Sequence, residues 1–509
     1  MRTMSRVFFV LVVLFFTLFP TNATRAQFTQ QGDKLVGTGA VGAYVNQGSS
    51  VALSADGNTV IVGGPGDSSQ AGAAWAFTRS GSVWTQQGSK LVGTGAVGRA
   101  YQSQSVSLSS DGNTAIVGGG SDNGGTGAAW IFTRSEGTWN QQGSKLVGAG
   151  AAGQSYQGTS VSISADGNTA IVGGWADDTG VGATWVFTRS GSAWTQEGSK
   201  LVGTGAVGNA TQGTSVSLSA DGNTAIVGGP YDSSRAGAVW AFTRSGGVWM
   251  QQGNKLIGTG AVGNAYQGRS VSLSSDGNTA IVGGNFDNGS IGAAWVFVRS
   301  SGVWTQQGNK LVGAGAVGQS YQGTSVSISG DGNTAIVGGF QDDNGVGAAW
   351  VFTRNGSVWT QQGNKLVGAG AVESAYQGTD VSISSDGNTS IEGGYNDNGG
   401  AGAAWVFTRG SSSAGEPNVE VPRKFTLQQN HPNPFNPSTT IEYSIPQLST
   451  VEIKVLDVLG REVVTLLSGE KPAGAYTIRW NADGVASGVY FYRMQAGGLV
   501  QARKMLLVR

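Results

Sequence analysis

Few residues of this 509-residue chain can do acid–base or nucleophilic chemistry: it has one histidine, His431, no cysteine, and 30 Asp plus Glu. An activated nucleophile needs a poised base beside it, and residues 28–409 contain neither His nor Cys. Triad hydrolysis and thiolate metal sites are therefore excluded there. Three carboxylates, Glu373, Asp380 and Glu392, stand where other copies of a repeat carry Gly, Ser and Val. Together they could bind a cation or serve as the acid and base of glycoside hydrolysis, while drift in a single copy is the plainer expectation. His431, between Asn430 and Pro432, is expected to be structural.

Aromatic residues form a second irregular set. Trp175, Tyr231, Phe286, Phe340 and Tyr395 follow a Gly-Gly pair in five copies, and the first two copies have small or polar residues there. Equivalent loops gathered on one face would let these rings stack on sugars or anchor a protein partner. Tyr101, Tyr156, Tyr266, Tyr321 and Tyr376 recur at a constant position and are expected to pack.

The elements that must position these residues come from one repeat. Asp-Gly-Asn-Thr begins at Asp56, Asp111, Asp166, Asp221, Asp276, Asp331 and Asp386, 55 residues apart each time. Such a period fits a propeller blade better than a solenoid rung. The fourth copy shows four strands: Ser215–Ser219, Thr224–Val227, Gly237–Arg244 and Val248–Leu256. Asp221-Gly222 is expected to supply the φ > 0 pair of a tight hairpin, and Gly228-Gly229 to break the second strand. The seventh copy lacks its fourth strand, and an orphan copy of that strand opens the mature chain at Phe28–Leu35, with Phe28 where other copies have Trp. A seven-bladed, all-β ring closed by its N-terminal strand follows, because that pairing removes two open sheet edges. The repeated Asp67, Asp122, Asp177, Asp232, Asp287, Asp342 and Asp397 are expected to cap loops, since repetition points to scaffold.

Composition supports this reading. Gly accounts for 87 residues and charged residues for 12%, against roughly 7% and 25% in ordinary proteins, so long amphipathic helices are not expected. Net charge is zero, with 30 Lys plus Arg; that leaves no excess for a phosphate backbone, and no nucleic-acid partner is expected. Arg2 and Arg6 precede an apolar run from Val7 to Phe19, then small residues through Ala26. This pattern reads as a secretory signal peptide over residues 1–26, too short for a permanent anchor. No later run reaches the length of a membrane span, so no transmembrane segment is expected in the mature chain.

After Arg409 the texture changes, with seven of the ten Pro between Pro417 and Pro472. Residues 410–423 read as a linker and 424–509 as a small Ig-like β-sandwich with strands at Thr440–Ile445, Val451–Asp457, Glu462–Leu466, Tyr476–Trp480, Gly488–Arg493 and Lys504–Val508.

Two resemblances bear on these parts. Over residues 28–409, the run Tyr-Gln-Gly-Thr-Ser-Val-Ser-Ile-Ser-x-Asp-Gly-Asn-Thr-Ala-Ile-Val-Gly-Gly followed by Gly-Ala-Ala-Trp-Val-Phe-Thr-Arg resembles the FG-GAP repeat of integrin-alpha-like propellers. Blades of that family often carry an Asp-x-Asp-x-Asp-Gly calcium loop. Each copy here offers one Asp before its Gly, too few oxygens for calcium, so Asp56 and its equivalents are expected to form turns and no cofactor is expected. Over residues 424–509, Leu427–Pro437, Leu459-Gly460-Arg461, Ala486–Tyr492 and Lys504-Met505 resemble the C-terminal sorting domain of type IX secretion cargo. The opening also resembles the Ig-like domain of flagellar hook-capping proteins, but its terminal position favours sorting. The sorting resemblance implies Sec export, the type IX machinery as partner, and a protein released or attached to the outer-membrane surface. The expected function is non-catalytic: a binding or adhesion propeller recognising an extracellular glycan or protein. A polysaccharide-cleaving enzyme using Glu373, Asp380 and Glu392, or a structural surface-layer protein, is the alternative.

Overall fold

The computed structural model describes residues 27–410, 425–445, 449–471 and 474–508; the expected signal peptide and the linker residues 411–423 lie outside them. The chain forms two compact units dividing after Ser411. Residues 28–409 make seven four-stranded antiparallel sheets, six built from one copy of the repeat each and the seventh from the last copy plus the N-terminal strand. Alternating apolar and small residues place Val and Ile on both faces of every blade, so the cores lie between blades. Ala52, Ile61, Ala74 and Ala76 of blade one, for example, pack on Val106, Val117, Trp130 and Phe132 of blade two.

Closure is explicit in the strand order. Phe28–Gln30 pairs with Ala403–Arg409 as the fourth strand of blade seven, with Phe28 opposite Arg409. The Arg409 guanidinium lies 5.1 Å from the Phe28 ring, as Arg79 lies 5.4 Å from Trp84 in a complete copy. Ile391, Ala404 and Val406 of blade seven then pack on Val51, Val60 and Trp75 of blade one. A circle of backbone hydrogen bonds of 2.9–3.1 Å lines the narrow end of the central channel: Ala55 N–H donates to Ser110, Ser110 to Ala165, Ala165 to Ala220, Ala220 to Ser275, Ser275 to Gly330, Gly330 to Ser385, and Ser385 back to Ala55.

Three local expectations need correction. In blade four the inner turn leaves only Gly222 left-handed, at φ +64°. Asp221 instead accepts from Ser219 Oγ and Asn223 N with one oxygen and from Asn223 Nδ2 with the other, an Asx-type turn longer than a two-residue hairpin. Gly228-Gly229 does not break the second strand but completes it, pairing with Val239 and Ala238. A Cβ on Gly228 would lie 2.1 Å from the Gly268 carbonyl oxygen, so glycine is there because the next blade's backbone comes so close. The fourth strand stops at Gln251, and the chain rejoins the blade at Leu256 through a single bridge to Val239.

Between the second and third strands a compact four-residue turn, Asp67–Gln70 in blade one, buries its aspartate. Asp67 accepts the Val41 N–H at 2.7 Å and pairs with Lys90 at 2.6 Å. All seven copies repeat the pair, and in blade seven Lys34 from the N-terminal segment meets Asp397. These aspartates are anchors, in keeping with the loop-capping role expected of them.

The tail is a sandwich of a three-stranded and a four-stranded sheet over a core of Ile441, Tyr443, Val451, Ile453, Trp480, Tyr492 and Met505. Its strands Ser438–Ile445, Ser449–Leu456, Glu462–Lys471, Gly474–Asn481, Gly488–Ala496 and Leu499–Leu507 extend the expected ones by a few residues.

Each third strand carries a tryptophan with no solvent exposure, and the connector entering its blade lies against it. A Cβ on Gly203 would fall 2.1 Å from Trp240 Cδ1, whereas one on Gly205 would meet nothing within 4 Å. Gly203→Ala is therefore expected to destabilise the protein by about 3 kcal/mol or more, and Gly205→Ala, at φ +77°, by only about 1 kcal/mol. Denaturant unfolding of both variants checks this; equal losses would contradict the packing argument.

Candidate functional site

The face opposite the hydrogen-bonded circle is built by the connectors and by the loops after the second strands. In blade five, Trp295 Nε1–H donates to the Thr259 carbonyl at 2.8 Å, and Gln267 grips Gly258 through both its N–H and its C=O. Tyr266 N–H donates to Arg235 O at 3.0 Å, tying this connector to blade four. So held, Tyr266 adopts φ +58°, a conformation that bulky residues rarely take. Tyr101, Tyr156, Tyr321 and Tyr376 do the same at φ between +51° and +56°, or +58° for Tyr376.

Three of these tyrosines, Tyr266, Tyr321 and Tyr376, do more than pack. Their rings interleave with the loop aromatics in one ribbon: Tyr231, Tyr266, Phe286, Tyr321, Phe340, Tyr376 and Tyr395, with successive centroids 4.5–5.9 Å apart. Tilted and edge contacts alternate, the arrangement that ring quadrupoles favour. The ribbon spans blades four to seven. It stops where Thr211 and Asn46 hold the tyrosine position. Trp175, 5.4 Å from Tyr156, stands apart from it. Trp175, Tyr231 and Phe286 are 37%, 46% and 39% exposed; Phe340 and Tyr395 are half-buried. Four of the five expected site residues are thus brought together, and the intervening tyrosines belong to the same surface.

The ribbon borders a cavity of about 430 Å³ lined by Tyr231, Tyr266, Phe286, Tyr321, Phe340 and Tyr395, with Arg269, Thr324 and Thr379. It opens into the central funnel of about 650 Å³, walled by Ser and Thr hydroxyls and again by Arg269. Arg269 stands where other copies have Ser49, Gln104, Thr159, Thr214, Thr324 and Thr379. Solvent reaches it, yet protein surrounds it, and burial pulls its guanidinium below the ordinary value. Its departure from the other copies was legible in the sequence, by the same rule that singled out Glu373, Asp380 and Glu392.

Those three carboxylates do not converge. Glu373 is exposed on a connector at φ +64°. Asp380 lies on the channel wall of blade seven, accepting Val51 N–H at 2.7 Å and Ser325 Oγ–H at 2.6 Å. At other junctions a serine does this, as Ser270 Oγ does for Val326 N–H at 3.0 Å, so Asp380 ties blade seven to blade one. Glu392 is fully buried, and among the described residues no hydrogen bond of normal geometry reaches either of its oxygens. Pairing of Asp380 with Gly393 and of Val381 with Glu392 puts the two acids on opposite faces of the blade. Among the described residues no group of three His, Cys, Asp or Glu could hold a metal. The Asp56-type carboxyls are likewise turn formers. Burial alone would raise Asp56, but its Ser54 and Asn58 donors outweigh that and hold it below the usual range. His431 is exposed in the tail, its backbone paired with Thr440.

Residues 430–508 match the family model described as "Secretion system C-terminal sorting domain". The tail is therefore a sorting domain of the type IX system, which indicates a secreted or surface-attached protein that engages that machinery. No curated protein matches the chain. Among solved structures, the periplasmic gluconolactonase PpgL of Pseudomonas aeruginosa is 17% identical with a TM-score of 0.41, over 63% of this chain and 86% of that one. The β-propeller domain of the trilobed protease from Pyrococcus furiosus is 8% identical with a TM-score of 0.37, over 71% and 95%. Among the described residues no helix is long and apolar enough to cross a membrane.

Desolvation pushes Asp380 up to about 6, its three hydrogen-bond donors notwithstanding, and raises Glu392 well above the ordinary glutamate value. Both groups hold protons more tightly folded than unfolded. Their contribution to stability is complete below about pH 4 and is lost as pH rises through their folded values. Glu392→Val, the residue of the other copies, is expected to stabilise the protein by about 2 kcal/mol or more at pH 8. It should also shrink the difference in unfolding midpoint between pH 5 and pH 8. An unchanged midpoint at both pH values would contradict the uncompensated burial.

Proposed function

We propose that the protein is a non-catalytic binding propeller that recognises an extracellular glycan through the aromatic half-ring on its funnel face. The observation that carries the reading is the ribbon of seven rings beside a cavity the size of one or two sugar residues. Half-exposed rings offer flat apolar faces to sugar C–H groups, and the Ser, Thr and Tyr hydroxyls around them can take up sugar hydroxyls. Every carboxylate expected to do chemistry is assigned elsewhere: Asp380 to ring closure, Glu392 to a buried position, Glu373 to an exposed loop. That scatter counts against glycoside cleavage, which needs two carboxyls facing one bond about 5–10 Å apart. A protein ligand would use the same rings as anchors, but the concave, hydroxyl-lined funnel suits a saccharide better. Membership of the FG-GAP group, Sec-dependent export by a cleaved signal peptide and a role in adhesion belong to the same proposal and rest on the sequence patterns.

Binding of the whole protein to a panel of immobilised polysaccharides tests the reading. Phe286→Ala and Tyr321→Ala are each expected to weaken retention roughly tenfold or more, while Val83→Ser, on the exposed outer hairpin of blade one, should not change it. Release of reducing ends from any polymer, abolished by Glu373→Gln or Glu392→Gln, would replace this reading with an enzyme.

A further inference from the structure

Two sets of charged side chains repeat around this propeller. The seven Asp67-type acids each meet a lysine, and Arg79 and its equivalents lie over outer-strand aromatic rings and donate to amide or carboxylate side chains. Three propeller arginines fall outside both sets: Arg99, exposed on the connector into blade two, and Arg235 and Arg269, which stand together at the blade-four end of the ribbon. Arg269 has no hydrogen bond or ion pair from its guanidinium to any described residue; only its backbone N–H is engaged, by Tyr266 O and Gly283 O. Arg235, left-handed at φ +77°, has its guanidinium carbon 5.7 Å from the Tyr231 ring and 6.0 Å from the Tyr266 ring, and among the described residues no carboxylate pairs with it. The acid facing the same funnel, Asp380, is already held by Val51 and Ser325. Other copies place Ser, Gln or Thr at position 269 and Gln, Gly or Ser at position 235. The two cations are therefore no part of the repeat's scaffold.

Resting on the glycan reading above, we propose that the site selects an acidic polysaccharide: Arg269 receives the anionic group of a sugar whose ring stacks on Tyr231, Tyr266 and Phe286, and Arg235, lying against the Tyr231 and Tyr266 rings, adds positive charge at the same end. A guanidinium presents a planar fork of N–H donors that matches a carboxylate or sulfate ester in a bidentate manner. In a funnel hemmed in by protein, such a contact is screened less than at an open surface. The cavity that holds Arg269 is the one lined by the ribbon, so charge and stacking act on the same ligand residue. A neutral polymer would leave the guanidinium unpaired, which is the basis of the selectivity.

The test uses the whole protein and three probes: polygalacturonate for carboxylates, a carrageenan for sulfate esters, and a neutral galactan. Wild type is expected to bind at least one acidic polymer about tenfold or more tightly than the neutral one, and the acidic polymer it prefers identifies the anion. Arg269→Thr and Arg235→Ser, residues that other copies carry at these positions, should each erode that preference at an unchanged melting temperature. Should wild type bind acidic and neutral polymers equally, or keep its preference in both variants, the charge assignment is overturned while glycan binding stands. Absence of binding to all three probes and to the wider polysaccharide panel would overturn both.

Discussion

The contact on which the rest depends is a buried tryptophan lying against a glycine. Each third strand delivers an indole with no solvent exposure to the connector arriving from the previous blade, and only a residue without a Cβ fits beneath it. The indole N–H takes the next carbonyl, and a buried glutamine closes the connector on itself, as Trp295, Thr259, Gly258 and Gln267 do in blade five. Two consequences follow. Neighbouring blades share their cores, so the ring is one cooperative body, and each connector is held rigidly enough to carry tyrosines in a strained left-handed conformation. The display of the aromatic ribbon is thus an outcome of packing well beneath it.

Against this near-perfect repetition, the departures acquire meaning by location. Those in the strands of blade seven serve closure or cost stability: Asp380 replaces a serine in the bond to blade one, and Glu392 replaces a core valine without compensation. Those of blades four to seven on the funnel face lie together: rings, hydroxyls and Arg269 around one cavity, with Arg235 against the Tyr231 ring. A ring of identical blades has no preferred direction for a ligand. Asymmetry confined to half of one face creates one, and recognition needs nothing else from the scaffold.

Much of the fold could be read directly from the residues. The unvarying period, the orphan strand beginning at Phe28 and the truncated seventh copy specified a closed ring, because strand edges must be paired. What escaped were features set by contacts across blades, which no local pattern reports. Gly228-Gly229 looked like a breaker because the Gly268 backbone that demands it is distant in sequence. The Asp221 turn is the local exception: it looked like a two-residue hairpin because the Asp-Gly dipeptide does not report the side-chain bonds from Ser219 and Asn223 that lengthen it. The tyrosine row looked like packing since its regularity matched the scaffold, yet three of its rings join the irregular loop aromatics in one ribbon. Arg269 was visible as a departure and became informative only once the cavity around it was known.

The central claim, that broken symmetry on one half of one face makes the binding site, is tested most directly by hydrogen exchange on the whole protein with and without a bound polysaccharide. Protection confined to the connectors and second-strand loops of blades four to seven, from Tyr231 to Tyr395, is the result this account requires. Protection spread evenly over all seven blades, or centred on the narrow end of the channel near Ala55 and Ser385, would contradict it.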